Sequence, residues 1–372
     1  MPHNRTDQTT TAQRVLPQRP SDRASVPGLL LLLRLCLLFV MLLAGGPAAA
    51  QVRNFRLSHQ FSADIDARDR AARLFAQEVT KRVPNITFSV LANSALKIPP
   101  PEQLDALLDG RIELAVYPFF YGSKRIPEFS IGLLPGIPSD VPTANLLKGT
   151  DFHRRLQEMC EQHGVHILGW WWLAGGIVSR ETDISGPATV KGLRARGGDA
   201  GFDLMLSAAE GNVVTLTSNE MAGRMRDGTL DVAMTSFESF VSFRVFESAK
   251  AATFGGYGLW TSFQPLIMSK AAWDRLSETD QEAFTQAATV ADTFFVTTQL
   301  EAEQAARDAF TKAGARVRTM EFADYADWLR IAQRSSWRQY RERSPEASNL
   351  LNAMMQSLIA SGSTIGSSEP PK

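Results

Sequence analysis

Residues 227–235 read Asp227-Gly228-Thr229-Leu230-Asp231-Val232-Ala233-Met234-Thr235, and residues 109–117 read Asp109-Gly110-Arg111-Ile112-Glu113-Leu114-Ala115-Val116-Tyr117. Asp, Gly and Ala match outright; Ile/Leu, Glu/Asp, Leu/Val and Val/Met match in kind. Each copy follows a short amphipathic helical pattern. The glycine serves as that helix's left-handed cap, and a strand restarts at once. The repetition predicts two lobes of similar architecture.

The order of elements around each copy is the same. Ahead of the first, Phe55 to His59 reads as a strand, and Ala71, Leu74, Phe75, Val79 and Val83 recur at helical spacing. Ile86 to Leu91 alternates like a strand. Pro99 to Pro101 open a short helix that ends at Gly110. Ahead of the second, Phe202 to Ala209 is helical and Val213 to Leu216 is a strand. Thr217 and Glu220 then have capping-box spacing. Strand–helix–strand–helix–strand order predicts α/β units with parallel pairing. Ligands in such sheets sit beyond the carboxyl ends of the strands. That places Tyr117 at one lip and Thr235, Ser236 and Phe237 at the other.

Between the units, a helix is expected from Thr143 to Gln162, and Val165 to Leu173 reads as one buried strand. Strand alternation sends only one or two of Trp170, Trp171 and Trp172 toward the cleft, and Trp172 is the candidate. Gly175-Gly176 reads as a hinge. Beyond the second unit, Gln264 to Ser269 reads as a strand returning to the first lobe. Ser277 to Lys312 is one long helical pattern of roughly 45–50 Å at about 1.5 Å per residue, with a cap expected from Thr279 and Glu282. Ala315 to Glu321 is a strand, and Tyr325 to Met355 is helical. The expected division is 52–173 plus 262–301 for lobe I and 174–261 plus 302–358 for lobe II, with 359–372 a disordered polar tail.

The candidate chemistry lies in Lys191-Gly192-Leu193-Arg194-Ala195-Arg196-Gly197-Gly198. Arg194 and Arg196 share a strand face, and an arginine fork matches a carboxylate or phosphate with two parallel hydrogen bonds. By itself the pattern more often marks two solvated arginines. His59, at the end of the first strand, reads either as a ligand donor or as a structural histidine. Cys160, His163 and His166 have metal-like spacing, but Gly164 separates a helix end from the next strand, so no metal site is expected. Gly-x-Ser-x-Gly, phosphate-loop and His-Glu-x-x-His signatures are missing, so no enzyme and no cofactor are expected.

Residues 1–50 read as a secretory signal. Arg5, Arg14, Arg19 and Arg23 precede an apolar run from Gly28 to Leu43, and Ala48-Ala49-Ala50 fits a cleavage site. Beyond residue 50 the chain carries 34 basic and 37 acidic residues and one cysteine, Cys160. That balance gives no footing for nucleic acid. A single cysteine gives an exported domain no internal disulfide, so its core must hold it. A periplasmic location is expected.

In order along the chain stand Leu57-Ser58-His59, Leu74-Phe75-Ala76-Gln77-Glu78-Val79, Leu134-Pro135, and His166-Ile167-Leu168-Gly169-Trp170. Val190 to Arg196, Gly228 to Asp231, Thr235-Ser236, Glu247 to Lys250 and Leu276-Ser277-Glu278 follow. Over residues 52 to 355 this order resembles the DctP-type solute-binding proteins of tripartite ATP-independent periplasmic (TRAP) transporters. The resemblance implies a two-lobed α/β binding protein of the Venus-flytrap, type II-like kind, with a long hinge-spanning helix. It implies a small organic acid as ligand, TRAP membrane subunits as partners, and a monomer. In a Lys-Gly-Leu-Lys-x-Arg pattern the family's carboxylate-pairing arginine falls on Arg196, with Thr235 or Ser236 as a polar neighbour. Gly197-Gly198 departs from the family's usual apolar residue and proline. A binding protein of another uptake or sensing system, or an exported enzyme on the same scaffold, are the rival readings.

Overall fold

A computed structural model describes residues 52–255 and 257–363. The expected signal segment and the end of the expected tail lie outside the described residues.

The first unit runs β1 (Arg53–Ser58), α1 (Ala67–Arg82), β2 (Ile86–Leu91), α2 (Gln103–Leu108) and β3 (Leu114–Val116). Next come α3 (Val141–Asn145), α4 (Asp151–Gln162), β4 (Val165–Ile167) and β5 (Trp172–Ser179). The second unit runs β6 (Arg194–Arg196), α5 (Ala200–Ala208), β7 (Asn212–Val213), α6 (Met221–Arg226), β8 (Val232–Ser236) and α7 (Phe237–Ser242). Then follow β9 (Ala251–Phe254), β10 (Trp260–Phe263), β11 (Leu266–Ser269), α8 (Lys270–Trp273) and α9 (Glu278–Lys312). The chain ends with β12 (Arg316–Thr319), α10 (Phe322–Ala332), α11 (Arg338–Arg343) and α12 (Pro345–Ala360), a π-turn at Gln333–Trp337 joining α10 to α11.

The two predicted units fold alike. One sheet has the order β2-β1-β3-β11-β4; the other runs β12-β9-β5-β8-β6-β7, with β10 on β5. In each, the first strand of the unit lies between the other two and pairs with both in parallel: β2-β1-β3 and β7-β6-β8. The nine-residue repeats supply β3 and β8, and they sit in matching register, Leu57 opposite Leu114 and Ala195 opposite Val232. The returning strand β11 lies in the first sheet, as its sequence implied, and pairs antiparallel with β3 and β4.

Several expected boundaries differ. The run Val165 to Leu173 is two strands, not one, because the chain leaves the first sheet after Ile167 and joins the second at Trp172. Gly175 and Gly176, expected as a hinge, lie inside β5, paired with Ser236 and Thr235. They lack side chains for a packing reason, since a Cβ at Gly175 would lie 2.1 Å from the Thr235 carbonyl oxygen and one at Gly176 2.5 Å from that of Thr253. The chain returns to the first sheet between Phe263 and Leu266.

Helix α9 joins the lobes. Its 35 residues span about 50 Å. Its N-terminal half packs Phe284, Ala287, Ala288, Ala291 and Phe295 into the larger apolar core, shared with the first sheet. Its C-terminal half packs Ala302, Ala306 and Phe310 into a second core against one face of the second sheet. Strand β8 alternates between the same two cores, Val232 and Met234 into the larger and Ala233 into the smaller. The α9 cap is Ser277, whose side chain accepts the Asp280 N–H at 3.1 Å, rather than Thr279. Gly149 takes a left-handed φ of 79°, and the helix expected over 143–162 is divided there into α3 and α4.

Candidate functional site

Arg196 is the last residue of β6, at the carboxyl edge of the second sheet, and is 1% exposed. Two backbone carbonyls fix its guanidinium: Nε donates to Leu216 O at 3.1 Å and Nη1 to Met234 O at 2.7 Å. Nη2 has no hydrogen-bond partner among the described residues. A guanidinium has five N–H donors, so three remain, one on Nη1 and two on Nη2. That free end is the edge a carboxylate meets with two parallel bonds. Asp203 lies near enough to temper the positive charge, and burial raises its own carboxyl above the usual range.

The glycine pair that departs from the family pattern has a local cause. Gly198 has φ 101°, and a Cβ there would stand 2.9 Å from Arg196 Cζ. A Cβ on Gly197 would stand 2.4 Å from Phe202 Cβ. The pair lets the chain fold α5 down over the guanidinium, and the Gly197 N–H then donates to Asp203 Oδ1 at 3.0 Å.

The other expected residues take different places. Thr235 shares the β8 face of Ala233, the residue paired with Arg196, and is 3% exposed. Ser236 caps α7, its hydroxyl accepting the Ser239 N–H at 3.1 Å. Phe237 packs into the smaller core, 5.5 Å from the Phe254 ring. Tyr117 is buried in the first lobe and donates its hydroxyl to Pro101 O at 3.2 Å. His59 Nε2 faces Asp69 Oδ1 at 3.2 Å, and its Nδ1 accepts the Phe61 N–H at 3.3 Å, contacts within its own lobe. Trp172 is 1% exposed, 4.9 Å from the Phe263 ring, and its Nε1 has no partner among the described residues. Arg194 points to Asp231 and not to the cleft.

Four of the buried polar atoms without partners among the described residues stand at or near strand ends. Ser58 Oγ and Gln60 Oε1 close β1, Arg196 Nη2 closes β6, and Trp172 Nε1 opens β5. Buried polar groups are ordinarily satisfied, so each of these atoms is a candidate for a ligand contact. Sequence reasoning passed over Ser58 and Gln60, although both sit beside His59 at the end of the first strand, where the topology rule points. The Cys160, His163 and His166 set does not converge: Cys160 is fully buried, His163 is exposed, and His166 stacks on Trp273 at 4.0 Å and contacts Glu161 at 2.8 Å.

The comparisons with known proteins concern the chain as a whole. The family model described as bacterial extracellular solute-binding protein, family 7 (DctP) matches residues 57–343. A solute-binding protein of Albidiferax ferrireducens is 32% identical over 317 residues, covering 84% of this chain and 94% of its own. A TRAP periplasmic solute-binding protein from Rhodoferax ferrireducens, solved with bound malonate, superposes with a TM-score of 0.80 at 32% identity, over 82% of this chain and 98% of its own. One from Sulfitobacter, solved with bound β-D-galacturonate, shares the fold with a TM-score of 0.75 at 21% identity, over 82% and 100%. The chain therefore belongs to the DctP family of bacterial extracellular solute-binding proteins, of the TRAP type.

Proposed function

We propose that this protein captures a small organic acid between its two lobes outside the cytoplasm and delivers it to TRAP membrane subunits. The observation that carries the reading is the Arg196 guanidinium, fully buried, oriented by Leu216 O and Met234 O, with Nη2 unpartnered among the described residues. A buried cation with open donors needs an anion to complete it. The 32%-identical relative holds malonate, a carboxylate that suits such an end.

Closure does the binding work. The ligand's carboxylate meets the free end of Arg196, and groups of the first lobe at the end of β1 close over it. Water leaves, the local dielectric falls, and the ion pair strengthens. The ligand holds the closed state only through its differential affinity for it. No chemical step is assigned to the site: its role is recognition. Thr235 and Trp172 are the further wall residues proposed. Ser236, Phe237, Tyr117 and His59 support the walls from behind through the contacts described above.

The test is calorimetric titration of malonate, dicarboxylates and sugar acids into the wild type and two variants. Arg196→Ala should lose about a hundredfold in affinity, the scale of a charge-assisted pair. Arg196→Lys should recover only part, since an ammonium cannot reproduce the fork. Wild-type affinity in Arg196→Ala would sink the reading.

A further inference from the structure

One backbone segment of the second lobe is held from both sides. Residues 216–218 follow β7, and Leu216 O accepts from Arg196 Nε at 3.1 Å. Two positions on, Ser218 meets the first lobe. Its N–H donates to the Tyr121 hydroxyl at 3.0 Å, and its Oγ accepts from Gln60 Nε2 at 2.9 Å. Gln60 follows β1 and Tyr121 follows β3, so both come from the carboxyl edge of the first sheet. Gln60 and Ser218 are 5% and 6% exposed, so these bonds are shielded from water. The segment is stiff, because the Glu220 carboxylate accepts the Thr217 N–H at 2.8 Å.

We infer that Ser218, gripped by Tyr121 and Gln60, is a closure latch, and that Arg196 couples it to the bound anion by carrying Leu216. The coupling rests on the reading of Arg196 as the anchor; the latch contact does not. These bonds join atoms of two lobes, so they form only when the lobes meet. They stabilise the closed state and not the encounter of ligand with the open one. Their loss therefore appears in the rate of release. Tyr121, Gln60 and Ser218 are positioning residues, acting through the segment that Arg196 holds.

Stopped-flow tryptophan fluorescence with malonate as the probe tests this on Tyr121→Phe combined with Ser218→Ala. The release rate should rise about tenfold, as expected for the loss of two buried hydrogen bonds. The association rate should stay within about twofold, and the melting temperature of the ligand-free protein within about 2 °C. An unchanged release rate, or a fall in association together with melting temperature, overturns the latch. Failure of malonate and the wider carboxylate panel to bind the wild type would instead overturn the anchor. The latch is then read on the ligand-free chain carrying Gln60→Cys and Ser218→Cys. A short bifunctional thiosulfonate should join those positions, several-fold more slowly when Tyr121→Phe is added. Cys160 is buried and does not compete. No cross-link, or no slowing, overturns the latch.

Discussion

Arg194 clamps Asp231 with three hydrogen bonds, from its backbone N–H at 3.0 Å, Nε at 2.8 Å and Nη2 at 2.7 Å. Arg56 does the same to Glu113 in the other lobe, at 2.8, 3.1 and 2.8 Å. Glu113 and Asp231 are equivalent positions of the nine-residue repeat. In each lobe the clamp ties the central strand of the unit to the strand the repeat supplies. The acidic match in the repeat is therefore a working joint, and it removes Arg194 from the ligand edge that Arg196 occupies.

Asp231→Asn should lower the melting temperature at pH 7 while leaving carboxylate affinity within about threefold, because the clamp lies behind the site. Arg194 beside it holds the Asp231 carboxyl below its ordinary range. The folded value lies below the unfolded one, so this stability is present above about pH 4 and is lost as pH falls through the folded value. The gap in melting temperature between wild type and variant should shrink at pH 3. An affinity loss matching that of Arg196→Ala would return Arg194 to the cleft.

Gly198→Ala tests the glycine pair. Alanine at φ 101° is strained by about 1–2 kcal/mol. Its Cβ would also press on the Arg196 guanidinium, 2.9 Å away. Carboxylate affinity should fall by about tenfold or more in calorimetry, a larger effect than the accompanying drop in stability. Equal affinity would mean the guanidinium has room to shift.

Much of this was legible in the chain because local rules and the fold agree. The repeat gave both units, the glycine caps gave the restarts of β3 and β8, and the uninterrupted pattern gave α9. What stayed hidden was non-local. Gly175 and Gly176 read as a hinge because their real constraint, the Thr235 and Thr253 carbonyls, lies on other strands. His59 was ambiguous because Asp69 reaches it from α1. Arg194 and Arg196 look alike in sequence and part only through their partners, Asp231 for one and two backbone carbonyls for the other.

Asp292 of α9 is a further buried acid, on the helical face of Ala288, Ala291 and Phe295. It accepts from the Trp170 N–H at 3.0 Å, Trp171 Nε1 at 2.9 Å and Lys148 Nζ at 2.6 Å. It thus holds the chain where it crosses between the sheets. Asp292→Ala would strand two buried N–H donors and should cost about 2–5 kcal/mol in denaturant unfolding. Asp292→Asn keeps an acceptor and should cost clearly less. Equal losses would mean that packing, and not the hydrogen bonds, sets the cost.

Asp199 gives the chain a pH-dependent stability of opposite sign to Asp231. It caps α5, accepting the Gly201 N–H at 2.5 Å and the Ser130 hydroxyl at 3.1 Å, and is 4% exposed. Burial pushes its carboxyl up to about 7, against the Gly201 N–H, Arg343 and Ser130, which favour the charged form. The unfolded value is about 3.9. Between the two values the folded state binds more proton than the unfolded state, so stability falls as pH rises from about 4 to about 7. Glu238, raised to about 7 mainly by burial and then by Asp66, adds to the same window. Asp199→Asn keeps a cap acceptor and removes this titration. Urea midpoints at pH 5 and pH 8 should therefore differ less in the variant than in the wild type, though Glu238 leaves part of the slope. Identical slopes would show that Asp199 stays charged in the fold across that range.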